Sequence, residues 1–168
     1  MYMTPEEIRE KFPDAFIERG AVIVRGAVIK SGAVIKSGAF IERGAVIKGG
    51  AVIGSGAWIG RGAVIKSGAV IVRGAWIGVS RKGVTHALVI NGIGTTRRMT
   101  AHTSDDGLVI VIGCLNHYRG ETIEQARKTI ADKYPPDHAY FAALDLAQRW
   151  YDQLADSTQQ QRKVTRCI

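Results

Sequence analysis

The side chains best suited to chemistry lie late in this chain. The stretch "TTRRMTAH" brings Thr95, Thr96, Arg97, Arg98, Thr100 and His102 together directly after Gly94. Two guanidinium forks among hydroxyl donors at a glycine turn make an anion cradle, because phosphates need both charge and fixed donors. Alternate residues of an extended strand share a face, which sets His102 beside Thr100 and Arg98. A second group, Cys114, His117, Tyr118 and Arg119, precedes Thr122-Ile-Glu-Gln125. That quartet is a capping box, and the N-terminus of the helix it opens favours anions. The ligand-binding candidates are therefore Thr95, Thr96, Arg97, Arg98, Thr100, His102, His117 and Arg119. The alternative leaves Arg97 and Arg98 solvated or paired with Asp105 and Asp106, and Cys114 simply buried.

Catalytic chemistry finds less support. A Cys114/His117 nucleophilic pair lacks an evident third group to orient the base. His86, His102, His117 and Cys114 show no zinc-ligand spacing. Cys114 and Cys167 are the two cysteines of the chain, which makes no disulfide framework. No catalytic residue, metal or cofactor is assigned.

The elements that must hold the candidates follow from residue pattern. "ALVINGIG" (87–94) and "RRMTAHTS" (97–104) predict strands, and Asp106-Gly107 predicts a hairpin turn into "LVIVIGC" (108–114). The capping box opens a helix to about Tyr134. Pro135-Pro136-Asp137 breaks the chain and starts a second helix, to about Ala155. Phe141, Leu144, Tyr151 and Leu154 recur at helical spacing, so they pack rather than bind. Residues 156–168, "DSTQQQRKVTRCI", read as a polar tail.

Before this α+β appendage (residues 80–155) stands a strict repeat. From Asp14 to Val79, eleven hexapeptides read Gly-Ala-(Val/Phe/Trp)-Ile-x-x, with Asp14 replacing the first Gly. Short fixed periods mark solenoids, in which each unit buries its apolar side by stacking on its neighbours. The Ile needs one inward slot per unit, and the Ala two residues earlier fits a tight corner. The Gly before it adopts backbone angles other residues resist. Three units close a triangular coil of 18 residues, giving a little under four coils.

An 18-residue spacing sorts side chains into columns. One holds Val22, Phe40, Trp58 and Trp76, flanked by Arg25, Arg43 and Arg61. A second holds Val28, Val46 and Val64 beside Lys30, Lys48 and Lys66. The third holds Phe16, Val34, Val52 and Val70. Every aromatic of the repeat except Phe16 thus shares one face, and Gly60 and Gly78 follow the two Trp by two residues. Large rings beside bare backbone suit an oligomer interface made of Val22, Phe40, Trp58 and Trp76. The competing view is a solvated face with scattered rings.

The spacing Ile17/Ala21, Ile23/Ala27, Ile29/Ala33 and onward to Ile71/Ala75 resembles the hexapeptide-repeat, left-handed β-helix family, over residues 14–79. The resemblance implies a mainly β fold, a left-handed parallel β-helix, and commonly a homotrimer. Family acyltransferases use a histidine from a coil or its loop, and the carbonic-anhydrase relatives bind metal with three. No histidine precedes His86, so neither site transfers to residues 14–79, and an acyltransferase is a distant alternative. Gly94, Arg97, Thr100, Ala101, Asp106, Gly107, Gly113, Cys114 and Gly120 resemble a small ββαα domain that follows hexapeptide repeats in phage and prophage proteins. His102 stands where that pattern has Tyr, and Leu115 where it has Phe. This second resemblance spans roughly residues 86–155. Together the two imply a non-catalytic, homotrimeric binding protein, a phage counter-defence sponge for a phosphorylated nucleotide signal. The alternative is a structural or interaction solenoid, natural or engineered, without a small-molecule ligand.

Residues 1–13 predict a cap. Thr4-Pro5-Glu6-Glu7 joins a Thr N-cap, Pro at the first helical position and Glu three residues after the cap. Ile8 and Phe12 then cover the solenoid's open end, whose bare edge would invite stacking. The net charge is +8, and residues 14–79 hold nine basic against three acidic side chains. Such a surface attracts anions or keeps an apolar repeat in solution. No specific nucleic-acid motif is present, and no apolar run approaches the ~20 residues of a membrane span. The segment "MYMTPEEIREKF" is too polar for a secretory signal, so the expected location is cytoplasmic, the host cytoplasm for a phage protein. Residues 14–79 contain no Thr, which argues against the ordered Thr rows of an ice-binding face.

Overall fold

The hexapeptide register becomes the hydrogen-bond register. A computed structural model describes residues 1–79, 81–93, 97–112 and 120–165, apart from the side chains of Arg97 and of residues 158–165. The Val/Phe/Trp-Ile pair of each hexapeptide forms a short strand. On one face lie β1 (Phe16–Ile17), β4 (Val34–Ile35) and β7 (Val52–Ile53). On the next lie β2 (Val22–Ile23), β5 (Phe40–Ile41), β8 (Trp58–Ile59) and β10 (Trp76–Ile77). The third holds β3 (Val28–Ile29), β6 (Val46–Ile47) and the start of β9 (Val64–Ile71), whose far end returns to the first face. All pair parallel at an 18-residue offset, as in Phe40↔Trp58 and Trp58↔Trp76. The chain is a parallel β-solenoid.

Its core is built from two residue types. Ile23 to Ile77 and Ala27 to Ala75, one of each per hexapeptide, are all buried. Burying a side chain of the Ile kind contributes about 1.5–3 kcal/mol, so the stacked row carries much of the stability. Ile17, in the first coil, is only partly buried. Two glycines show why the repeat is strict. Gly38 has φ +71°, the left-handed region that side chains resist. Gly60 has no such angle, but a Cβ there would come within 2.8 Å of the Ile77 carbonyl oxygen. Coil-to-coil approach therefore explains Gly60 without any external contact.

Both ends are closed. At the start, α1 (Pro5–Lys11) has the capping box read from sequence, with Glu7 N–H donating to Thr4 Oγ1 at 3.3 Å and Thr4 N–H to Glu7 Oε2 at 2.8 Å. Ile8 and Phe12 reach the core beneath. Residues 1–3 also cover the first coil's edge: Met3 N–H donates to Ile23 O at 2.9 Å, and Arg25 N–H to Met1 O at 3.1 Å.

The far end is not a separate lobe. β11 runs Val84–Ile93, starting earlier than the sequence pattern suggests, and pairs parallel with β9 through Val84↔Ile65 and His86↔Val70. The solenoid sheet thus continues into an antiparallel set of β11, β12 (Arg97–Ser104), β13 (Gly107–Ile112) and β14 (Glu121–Thr122). One face of that set packs Met99, Ala101 and Ile110 against Ile130, Tyr140 and Leu144 of two helices. The first, α2 (Ile123–Ala131), carries the expected capping box at Thr122 and Gln125. The second, α3, runs Ala139–Thr165, so the segment expected as a polar tail from 156 is helical as far as 165. Phe141, Leu144 and Tyr151 pack on this second core as their spacing implied.

Candidate functional site

Two of the candidates on β12, Arg98 and Thr100, meet the end of the solenoid. Along the aromatic face, each coil's backbone donates to the next: Val22 N–H to Ala39 O, Phe40 N–H to Ala57 O and Trp58 N–H to Ala75 O, each at 2.8 Å. Trp76 belongs to the last strand of that face, and its N–H donates to Thr100 Oγ1 at 3.0 Å. Fully buried Thr100 therefore supplies the acceptor that another coil would have given.

Arg98 does related work one residue pair away. Its Nη1 donates to Gly74 O at 2.9 Å, its Nε to Asn91 Oδ1 at 3.1 Å, and its guanidinium lies over the Trp76 ring at 5.7 Å. These donors are turned into the fold, which corrects the expectation of an open fork at Arg98. Asp105 and Asp106 are not its partners either. Asp105 pairs with Lys66 at 3.0 Å and Asp106 with Arg81 at 3.4 Å. Arg81 also donates to Gly120 O at 2.9 Å, pinning the chain after the last coil to the start of β14.

His102 completes the alternation with Arg98 and Thr100, as expected. It is fully buried, its Nδ1 stands 3.4 Å from Thr103 O, and its Nε2 has no hydrogen-bond partner. Burial pushes its pKa down from 6.5 to about 4, and the nearby Arg81 charge pushes the same way. The ring is therefore neutral at pH 7. Thr95, Thr96, His117 and Arg119, with the side chain of Arg97, lie outside the described residues, as do Cys114 and Tyr118. Among the described residues no three of His, Cys, Asp and Glu gather as metal ligands, and no helix is long and apolar enough to cross a membrane.

The aromatic column is where the sequence placed it. Val22, Phe40, Trp58 and Trp76 stand in register, each partly buried. Phe40, Glu42, Gly56, Trp58 and Trp76 line an open groove of about 470 Å³. A neighbouring groove of about 610 Å³ shares Phe40 and Glu42 and adds Tyr2, Arg43, Arg61 and Val79. Tyr2, 61% exposed, meets Phe40 edge-on at 5.9 Å between centroids. Sequence reasoning passed over Tyr2 and Glu42. Tyr2 reaches this face only through backbone pairing with Val24, which no side-chain pattern announces. Glu42 was legible, since it lies two residues after Phe40 in the same hexapeptide.

Around the column the charges differ in their partners. Arg25 is paired with Glu7. Glu7 is held below the usual carboxylate range first by the Thr4 N–H and then by Arg25. Glu42 accepts the Arg61 backbone N–H at 2.8 Å. Compared with family models, with curated proteins and with solved structures, the chain finds no match.

Proposed function

We propose that the chain is a non-catalytic binding protein that associates as a homotrimer through its aromatic face and holds a phosphorylated, nucleotide-class anion at the edge of that face. The observation that carries this reading is the in-register, partly exposed column of Val22, Phe40, Trp58 and Trp76, whose three rings line an open groove that adjoins, at Phe40 and Glu42, the groove of Arg43 and Arg61. Rings that remain part-exposed on one flat face favour contact with another surface. Arginine beside them adds the charge and the fork geometry an anion needs. The trimer number and the counter-defence role, sequestering a nucleotide immune signal, rest on the resemblances of the repeat and of the appendage.

A second reading has its own support. Arg98 and Thr100 close the solenoid's end, so part of the expected anion cradle serves architecture, as in a structural or interaction module without a ligand. Native mass spectrometry of protein purified from cells separates the two. A trimer carrying a bound mass of nucleotide size supports the first; a ligand-free species in every preparation supports the second. Trp58→Lys should give monomers, because it sets an unpaired charge into the contact. A wild type that is already monomeric would refute the trimer.

A further inference from the structure

We infer that the anion subsite lies on Arg43 and Arg61, at the corner of the aromatic face, and that its ligand is a nucleotide and not a bare phosphate. This inference rests on the binding reading above and adds the residues that hold the anion and those that tell a nucleotide from bare phosphate.

Arg25, Arg43 and Arg61 occupy the same position in successive coils, and Val79 ends the row. Arg25 is neutralised by Glu7. Among the described residues, the Arg43 and Arg61 side chains enter no ion pair or hydrogen bond. Parallel coils bring equivalent positions about 4.8 Å apart. From backbone positions that close, two long side chains can bring their guanidinium forks onto one phosphoryl group, or onto two adjacent groups of a diphosphate. The Arg43 stem is seated over Gly26, where a Cβ would come within 3.2 Å of its Cγ.

The groove also specifies the rest of the ligand. Tyr2 and Phe40 line it together with both arginines, and Phe40 joins it to the groove of Trp58 and Trp76. Nucleobases gain affinity by contact with such rings. Glu42 lies in both grooves, held there by the Arg61 backbone N–H. Its carboxylate repels a bare phosphate but accepts hydrogen bonds from an amino or hydroxyl group. An anion at one end, an apolar ring and a hydrogen-bond donor between them describe a nucleotide.

The test is calorimetry on the full chain with AMP, cyclic di-AMP and inorganic phosphate. Wild type should bind at least one nucleotide about tenfold or more tightly than phosphate, and R43A/R61A should lose about tenfold or more of that affinity. K30A/K48A removes equal charge from another face and should change affinity less than about threefold. Both variants alter exposed side chains, and circular dichroism checks their fold. Wild type that binds neither nucleotide sinks the binding reading and this site with it. Wild-type binding that survives in R43A/R61A, or falls equally in K30A/K48A, leaves the binding reading standing and overturns this site. Phosphate bound as tightly as the better nucleotide overturns the ligand class.

Discussion

The solenoid and the appendage solve the same problem with opposite means. Inside the coils every buried side chain from Ile23 to Ile77 is Ile or Ala, and backbone groups of each coil find partners in the next. The appendage packs a mixed core of Met99, Ile110, Tyr140 and Leu144, and among the described residues the buried polar side chains, Thr100 and His102, both sit on its β12 strand. Repetition satisfies each unit with a copy of itself until the copies run out. At that boundary unique side chains must replace the missing coil, and Thr100 and Arg98 do so. The residue types that look most chemical in sequence are thus drawn toward the seam, where architecture has a use for them.

The sharpest way to break this contrast is to remove one repeated side chain. Ile53→Ala deletes a fully buried aliphatic and should cost about 2–5 kcal/mol, measured by urea unfolding. Because each coil contacts only its neighbours, the loss spreads to the coils above and below. A cost under about 1 kcal/mol would mean that the Ile column does not face the core.

The seam should instead respond to pH. His102 has a folded pKa of about 4 against 6.5 when unfolded. Below 6.5 the unfolded chain takes up a proton that the folded chain refuses, so stability is full above that value and is lost as pH falls toward 4. From pH 7 to pH 5 the loss should be about 2 kcal/mol. His102→Gln should flatten the pH dependence over that window. An unchanged slope would put the sensitivity elsewhere.

Thr100→Val sharpens the seam argument at a single hydrogen bond. The shape is kept, but the Trp76 N–H loses its acceptor at 3.0 Å. Stability should fall by about 1–2 kcal/mol, and Trp76 N–H, unlike that of Trp58, should exchange faster with deuterium. Equal protection of the two amides would show that Thr100 is not the ladder's last acceptor.

Much of this was legible, and the reason differs by region. Strict recurrence of Ile and Ala gives both the period and the faces, because a solenoid translates sequence spacing directly into spatial columns. The strand Arg97–Ser104 and both capping boxes were equally plain. Joining the two regions was not. The parallel pairing of Val84 and His86 with β9 depends on where the coils end, and no local pattern records that. Nor does a sequence say whether an arginine opens to solvent, as Arg43 does, or turns onto a carbonyl, as Arg98 does toward Gly74.

The smallest predicted effect compares the two regions through the same device. Thr4 and Thr122 each cap a helix by accepting a backbone N–H at 3.3 Å, from Glu7 and Gln125 respectively. Replacing either with Ala leaves one amide without its side-chain acceptor, at a cost of about 1 kcal/mol. The two losses should nevertheless read out differently. α2 packs Ile123, Ala126 and Ile130 into the appendage core, so Thr122→Ala should lower the main unfolding transition. α1 places Ile8 and Phe12 over the first coil, where Ile17 is already part-exposed. Thr4→Ala should therefore loosen the solenoid's first turn before the rest, since end units of a stack have a neighbour on one side only. Hydrogen exchange at Ile8 and Phe12 amides would report that local opening, while the global transition stays nearly fixed. If Thr4→Ala shifts the global transition as much as Thr122→Ala does, α1 is coupled to the whole stack and not to its first coil alone.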